Sequence, residues 1–302
     1  MMYNEYQRIS TNWADYELID ASAGERLERW GDIILIRPDP VVIWNTPKDH
    51  HFWKDAHARY IRSNSGGGYW EKYKSVPESW GISYDLRDIT LNFNLKLMGF
   101  KHTGIFPEQA VNWEYMYDKI RERHINDPAR GVKILNLFAY TGAATLACAA
   151  AGARVTHVDA SKGMVAWGKE NAAASSLSDK PVRWLVDDCS KFIAREQRRG
   201  NKYDAVIMDP PSYGRGPGGE IWNINDHIYE MIKQCAVLLS DNPLFFIVNS
   251  YTAELSPALM GYMLDDLVGG RFDGKRICQG IGLPLNGRGL PCGATAIWQA
   301  GC

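Results

Sequence analysis

Four short segments of this chain place acidic and small residues where a ligand could be held. Ala139-Tyr140-Thr141-Gly142-Ala143, Asp159, Asp187-Asp188 and Asp209-Pro210-Pro211-Ser212-Tyr213 each follow a run of apolar residues. A glycine such as Gly142 lets the backbone approach a ligand closely, and the start of a helix can host an anion. Asp159 lies seventeen residues beyond Gly142, about where an acidic residue accepts hydrogen bonds from ribose hydroxyls. Each residue also has a plain alternative: Gly142 as a tight turn, Asp159 as a first-turn charge, Asp188 as a helix cap. Their joint occurrence at successive strand ends favours a ligand. A dinucleotide would want G-x-G-x-x-G, which is missing, so a nicotinamide dehydrogenase is disfavoured and a nucleoside without a pyrophosphate is expected. In Asp209-Pro210-Pro211 the prolines fix φ and leave carbonyls free, so that the carboxylate and a carbonyl could accept from an amino group or ring N–H of a base. Tyr213 is placed to stack on a flipped base. The plain alternative is a strand end with a stiff turn. The glycine-rich segment 214–219 is a substrate lid or only a loop.

The elements that must carry these residues read as α/β from about Asn112 onward. VNWEYMYDKIRER is helical. KILNLF and ARVTHV are strands flanking an alanine-rich helix from Ala143 to Ala151, and VRWLV, YDAVIM and LFFIVN repeat the strand signal. Ile224, Ile228, Met231, Ile232, Cys235, Leu238 and Leu239 share one helical face. GKRICQGIG and CGATAIWQ predict an antiparallel pair at the end. Before this part, Tyr16 to about Met98 reads as short strands: ELIDA, IILIRP, VVIW and the alternation Leu91, Phe93, Leu95, Leu97. Within it Trp53, Ala56 and Tyr60 predict a helix over 49–61, followed by SNSGGGYW as a mobile loop. The division expected is residues 1–98, a small β-rich domain, and residues 99–302, an α/β domain.

Composition removes other classes. The 302 residues are 45% hydrophobic, enough for a packed core, and show neither an eighteen-residue apolar run nor a secretory signal. No membrane association and a cytoplasmic location are expected. Lys plus Arg number 34 against 35 Asp plus Glu, so any nucleic-acid partner needs a local basic patch. The six cysteines lack a C-x-x-C pair, and His50, His51 and His57 lack metal-ligand spacing, so reduced thiols and no metal are expected. Tyr69 and Trp70 read as core aromatics before RNA-stacking ones.

The series KILNLFAYTGAATLACAAAGA, THVDAS, WLVDDCSKF and DAVIMDPPSYGRG resembles the motifs of class I S-adenosylmethionine-dependent methyltransferases. With GFKHTGIFPEQAVNW and GLPLNGRGLPCGATAIW it is similar, more narrowly, to the group containing the bacterial 23S ribosomal RNA large-subunit base methyltransferases. The resemblance covers roughly Gly99 to the C-terminus. It implies a Rossmann-like, mostly parallel sheet with an antiparallel last strand, and S-adenosylmethionine as cofactor with S-adenosylhomocysteine as product. It further implies that Ala139, Tyr140, Thr141 and Gly142 line the methionine moiety, and that Asp159, with Ala160 and Ser161, meets the ribose. Asp188 and the Cys189 backbone would meet the adenine edge, Phe106 and Gln109 would close over the cofactor, and Asp209, Pro210 and Tyr213 would face the acceptor. The acceptor implied is a base in structured RNA, ribosomal RNA first. The group's carbon methyltransferases carry a cysteine beside the fourth-strand motif or after the fifth strand. None stands at either place here, so a nitrogen acceptor is expected. A protein or small-molecule substrate, or a non-catalytic assembly factor with the same fold, are the alternatives.

Overall fold

The computed structural model describes residues 6–63, 67–215 and 221–301. After β1 (Gln7–Ile9) come β2 (Tyr16–Ser22), β3 (Glu25–Trp30), β4 (Ile33–Pro38), β5 (Ala58–Arg62) and β6 (Gly68–Lys72), a five-stranded sheet in that order. A hairpin, β7 (Trp80–Leu86) and β8 (Ile89–Leu95), leads to α1 (Ala110–Asn126). There follow β9 (Lys133–Leu137), α2 (Ala143–Ala150), β10 (Arg154–Asp159), α3 (Lys162–Ala174), β11 (Val182–Val186), α4 (Cys189–Arg198) and β12 (Ala205–Met208). The chain ends with a ribbon, β13 (Tyr213–Arg215) and β14 (Ile221–Asn223), then α5 (Ile224–Ala236), β15 (Phe245–Ser250), α6 (Pro257–Leu264), β16 (Gly274–Leu285) and β17 (Arg288–Ala300).

The main sheet runs β1-β16-β17-β15-β12-β9-β10-β11. Its inner strands read as continuous apolar runs, AVIM and FFIV, because helices cover both faces and leave no wet side. β9 to β12 and β15 are parallel, and β17 enters antiparallel between β15 and β16, as the resemblance implied. The chain goes outward from β9 through β10 to β11 and then returns to β12 on the other side of β9. That reversal opens a crevice at the carboxyl ends of β9 and β12. Trp113, Met116, Tyr117 and Ile120 of α1 are buried at i, i+3, i+4 and i+7 in one core cluster with the hairpin and one sheet face. Phe192, Ile228 and Met260 from α4, α5 and α6 cover the other face. Among the described residues, no helix is long and apolar enough to cross a membrane.

Three local expectations fail, two because long-range strand pairing overrides local pattern and one because local turn chemistry prevents a strand. Residues 49–61 form one 3-10 turn, His51–Trp53, and then β5. The alternating Ala58 and Tyr60 are worth more inside a sheet than on a helix, where Trp53, Ala56 and Tyr60 would be the whole apolar face. Val41 to Trp44 is no strand: Pro38 and Pro40 flank an Asp39 whose carboxylate accepts from the Val41 N–H at 3.0 Å, and Ile43 is left 90% exposed. Part of the expected loop is β6, where Trp70 meets Tyr60 edge-on at 5.4 Å while Tyr69 is exposed. Residues 64–66 of it lie outside the described residues. A Cβ at Gly68 would stand 2.2 Å from the Ile61 carbonyl, so this glycine serves close strand packing.

The N-terminal sheet buries charge. Glu28 is fully buried and accepts two bonds from Arg37, at 2.5 and 2.6 Å, and one from the Tyr16 hydroxyl at 2.8 Å. Burial pushes the Glu28 carboxyl up, but the Arg37 guanidinium and its hydrogen bonds outweigh this and hold it below its ordinary value. Glu28→Ala, which strands the Arg37 cation, should cost about 3–5 kcal/mol in denaturant unfolding at neutral pH. A loss below about 1 kcal/mol would show that the pair does not matter to the fold.

Candidate active site

The turn after β9 is built under strain. Phe138 and Tyr140 are non-glycine residues with φ of 54° and 50°, and Gly142, at φ 86°, sits at the start of α2. Several bonds hold this shape. The Asp159 carboxylate accepts from the N–H groups of Tyr140 and Ser161, each at 2.8 Å, and Ala139 N–H donates to the Val158 carbonyl at 3.1 Å. The Thr141 hydroxyl donates to the Gly104 carbonyl, and Asn171 Nδ2 donates to the Thr141 carbonyl at 3.0 Å. Burial pushes the Asp159 carboxyl up, opposed by those two backbone donors.

Over this turn lies a crevice of about 550 Å³, the size of a small-molecule site. Asp159, Ala160, Ser161, Asp188, Cys189, Asp209, Pro210, Phe106 and Tyr140 all line it. A smaller recess of about 60 Å³ continues inward past Gln109, Ala139, Thr141 and Gly142. Asp188 also satisfies its plain alternative, since it caps α4 by accepting from the Lys191 N–H at 2.8 Å, and it still borders the crevice. Burial pushes the Cys189 thiol well up, so it is a protonated wall residue.

Of the residues singled out, Tyr213 and Asp187 stand outside both walls, Asp187 being paired with Arg195. Tyr213 is the one assigned to the acceptor. It is 56% exposed on β13, and across the ribbon Trp222 of β14 faces the crevice instead. The Trp222 ring stacks on His227 at 5.3 Å and meets Phe138 at 5.3 Å, with its Nε1 donating to the Pro211 carbonyl at 2.6 Å. Residues 216–220 of the expected lid lie outside the described residues. Tyr251, Lys101 and His102 complete the crevice and were not anticipated. Tyr251 directly follows β15, so the strand-end logic that found Asp209 would have found it. Phe106 meets Tyr140 and Tyr251 at 5.6 and 5.4 Å, while Gln109 Nε2 donates to the Tyr251 hydroxyl at 3.0 Å. Asn112 Nδ2 ties Gln109 Oε1 at 2.7 Å to Asn249 Oδ1 at 3.0 Å, so these walls share one buried polar network.

The family model that describes S-adenosylmethionine-dependent methyltransferases matches residues 62–244, more than half of the chain. The chain belongs to this family. A solved S-adenosylmethionine-dependent methyltransferase from Agrobacterium tumefaciens is 33% identical, with a TM-score of 0.87 over 97% of this chain and 92% of that one. A methyltransferase from Streptococcus mutans shares the fold at 19% identity and a TM-score of 0.70, covering 95% of this chain and 76% of that one. Among curated proteins, the ribosomal RNA large subunit methyltransferase K/L of Shewanella frigidimarina is 33% identical over 152 residues. That match takes in 50% of this chain but only a fifth of the relative's length, 20%.

The methyltransferase's cofactor is S-adenosylmethionine, and the residues of the crevice fit it. Asp159 and Asp188 present carboxylates to hydroxyl and amino donors, and Tyr140 has a buried hydroxyl without a partner. No cluster of cations awaits a phosphate. When bound, the cofactor supplies a methyl group already activated by its sulfonium.

Asp209, at the end of β12, meets no hydrogen-bond donor among the described residues. Burial first, and the Glu108 carboxylate second, push its carboxyl up to about 7. An unfolded Asp titrates near 3.9, so between about 3.9 and 7 the folded form holds a proton that the unfolded form has lost, and stability falls as pH rises. Asp209→Asn removes that loss. It should unfold at higher denaturant than the native protein at pH 8, with the gap closing below about pH 4. A gap independent of pH would mean that Asp209 titrates normally.

Proposed function

We propose that the chain methylates a nitrogen of a base in structured RNA, large-subunit ribosomal RNA first, in the cytoplasm. The observation that carries this reading is Asp209. Its unpartnered carboxylate stands beside Pro210 and the rings of Phe106, Tyr251 and Trp222, the surroundings of a flat ring that brings its own N–H donor. The Shewanella relative, 33% identical over half of this chain, is named for ribosomal RNA of the large subunit, which supports the choice of RNA.

In this reading residues 99–302 form the methyltransferase domain and residues 1–98 a β-rich domain beside it. The backbone from Ala139 to Gly142 lines the methionine moiety, Asp159 with Ala160 and Ser161 takes the ribose hydroxyls, and Asp188 with the Cys189 backbone meets the adenine edge. Each Asp159 oxygen has a lone pair left after its backbone bond, so holding the turn and binding the ribose are compatible. Phe106 and Gln109 close over the cofactor. Tyr213 offers its exposed ring to the incoming base, with Trp222 as the inner wall. Asp209 and the Pro210 carbonyl accept the acceptor's N–H bonds and aim its lone pair at the methyl carbon. The bound cofactor would supply the methyl group, the electron pair of its C–S bond staying on sulfur, and Asp209 takes the proton that the acceptor nitrogen sheds.

No step calls for a thiolate. β12 is followed by Asp209-Pro210-Pro211-Ser212 and β15 ends in Val248-Asn249-Ser250 before Tyr251, while Cys292 is buried and its thiol is pushed well up by that burial. RNA containing 5-fluorocytidine should therefore leave no covalent adduct on a denaturing gel. A trapped adduct would return the protein to carbon methylation.

Asp159→Ala removes a charged acceptor shared by two hydroxyls, an interaction of about 1.5–3 kcal/mol. Calorimetry with S-adenosylhomocysteine should show about a tenfold or greater loss of affinity. Unchanged binding by the folded variant would sink the ribose assignment.

A further inference from the structure

Beside the crevice is a second cavity of about 120 Å³, walled partly by the N-terminal sheet. Lys101, His102, Phe106 and Tyr251 line both spaces, so the two adjoin across these four side chains. The cavity is rich in charge: Arg26, Arg37, Asp39 and Glu108 are all less than 10% exposed. Most of this charge is matched internally. Arg37 is paired with Glu28 and Arg26 with Asp39, and Asp39 also accepts from the Val41 N–H. Two charges are left over.

Glu108 is 4% exposed, and among the described residues no hydrogen bond or close ion pair reaches its carboxylate, although its charge helps to hold the nearby Arg26 guanidinium protonated. Among the described residues, Lys101 Nζ donates to the Pro38 carbonyl, at 3.3 Å, and forms no ion pair with a carboxylate. His102, between the two spaces, keeps a buried Nδ1 without a partner. A buried carboxylate without a donor is costly to the folded state and persists where a ligand supplies the donor. An anion would be repelled by Glu108 and a cation by Lys101 with Arg26 and Arg37. What satisfies both is a neutral ring that carries an N–H on one side and a carbonyl or ring nitrogen on the other.

We propose that this cavity is the acceptor pocket, in which Glu108 accepts an N–H of the target base and Lys101 donates to its carbonyl or ring nitrogen, with the methylated nitrogen turned toward Asp209. The inference rests on the reading of RNA as substrate. It assigns the N-terminal sheet a place in the reaction: the Arg26–Asp39 and Arg37–Glu28 pairs form a rigid charged wall that leaves only Lys101 and Glu108 free to choose the ligand. Phe106 and Tyr251 border both the pocket and the crevice. Lys101 and Glu108 are thereby specificity residues for the acceptor, not for the cofactor.

The test uses the full chain, tritiated S-adenosylmethionine, and large-subunit ribosomal RNA from cells that lack the gene. Glu108→Gln and Lys101→Met keep the side-chain volume. Each should raise KM for the RNA at least tenfold, while affinity for S-adenosylhomocysteine stays within twofold by calorimetry. Glu108→Gln should keep its cofactor affinity whatever it does to stability through the neighbouring Arg26, whereas a residue needed only for packing would lose stability and cofactor affinity together. If the native protein methylates the RNA and both variants keep its KM within twofold, the pocket assignment falls and the RNA reading stands. If the native protein transfers nothing to this RNA, the RNA reading falls, and the base as occupant of the pocket falls with it.

Discussion

One carboxylate bridge sets the geometry on which the site depends. Asp159 stands at the end of β10, yet its two oxygens are spent on the backbone of the neighbouring turn and on the start of α3. Without it, Tyr140 would have little reason to stay at positive φ, a conformation that costs a bulky residue on the order of 1–3 kcal/mol. That turn in turn presents Gly142, the N–H groups at the head of α2, and the Tyr140 ring against Phe106. The wall of the crevice nearest β12 is thus fixed from β10, across β9, by hydrogen bonds to backbone rather than by side-chain packing alone. Backbone donors cannot swing away as side chains can, which suits a reaction governed by alignment.

The parts of this arrangement legible in the sequence are those carried by short-range pattern. Parallel strands covered on both faces read as apolar runs, so the ends of β9, β10, β11 and β12 could be marked, and with them Gly142, Asp159, Asp188 and Asp209. What could not be read depends on partners far along the chain. Arg37 finds Glu28 only because β3 and β4 pair in one register, and Arg26 Nη2 lies 3.4 Å from Cys292 Sγ across 266 positions. No periodicity announces such contacts. The exchange of Tyr213 for Trp222 on the inner wall has the same origin. Tyr213 was expected to face a base from its place after the prolines alone, and the pairing of Gly214 with Trp222 across the ribbon turns the Trp222 ring inward.

Two of the failures in the N-terminal sheet, the helix and the loop that became β5 and β6, follow one rule. A short stretch with three apolar residues at helical spacing has too little apolar face to hold a helix by packing, whereas one more strand extends an existing sheet and satisfies its open edge. β5 pairs with β4 over only two residues and with β6 over five, so the sheet continues through what looked like a helix and a loop. Gly68 is the local sign of it, since its missing side chain lets the two strands approach.

Buried charge recurs in the N-terminal sheet and around the crevice, and its partners differ in a consistent way. Glu28, Arg37, Arg26 and Asp39 are matched by side chains, so their desolvation is offset within the fold. Asp209 and Glu108 accept no such side-chain bond among the described residues. Both are carboxylates, Glu108 adds to the burial that pushes the Asp209 carboxyl up, and both border spaces walled by aromatic rings. A fold that matches charge elsewhere but leaves two carboxylates without donors stores free energy that a ligand with N–H groups releases on binding. Placed on either side of the Phe106 and Tyr251 rings, they favour a flat, amino-bearing acceptor over an anionic or purely apolar one.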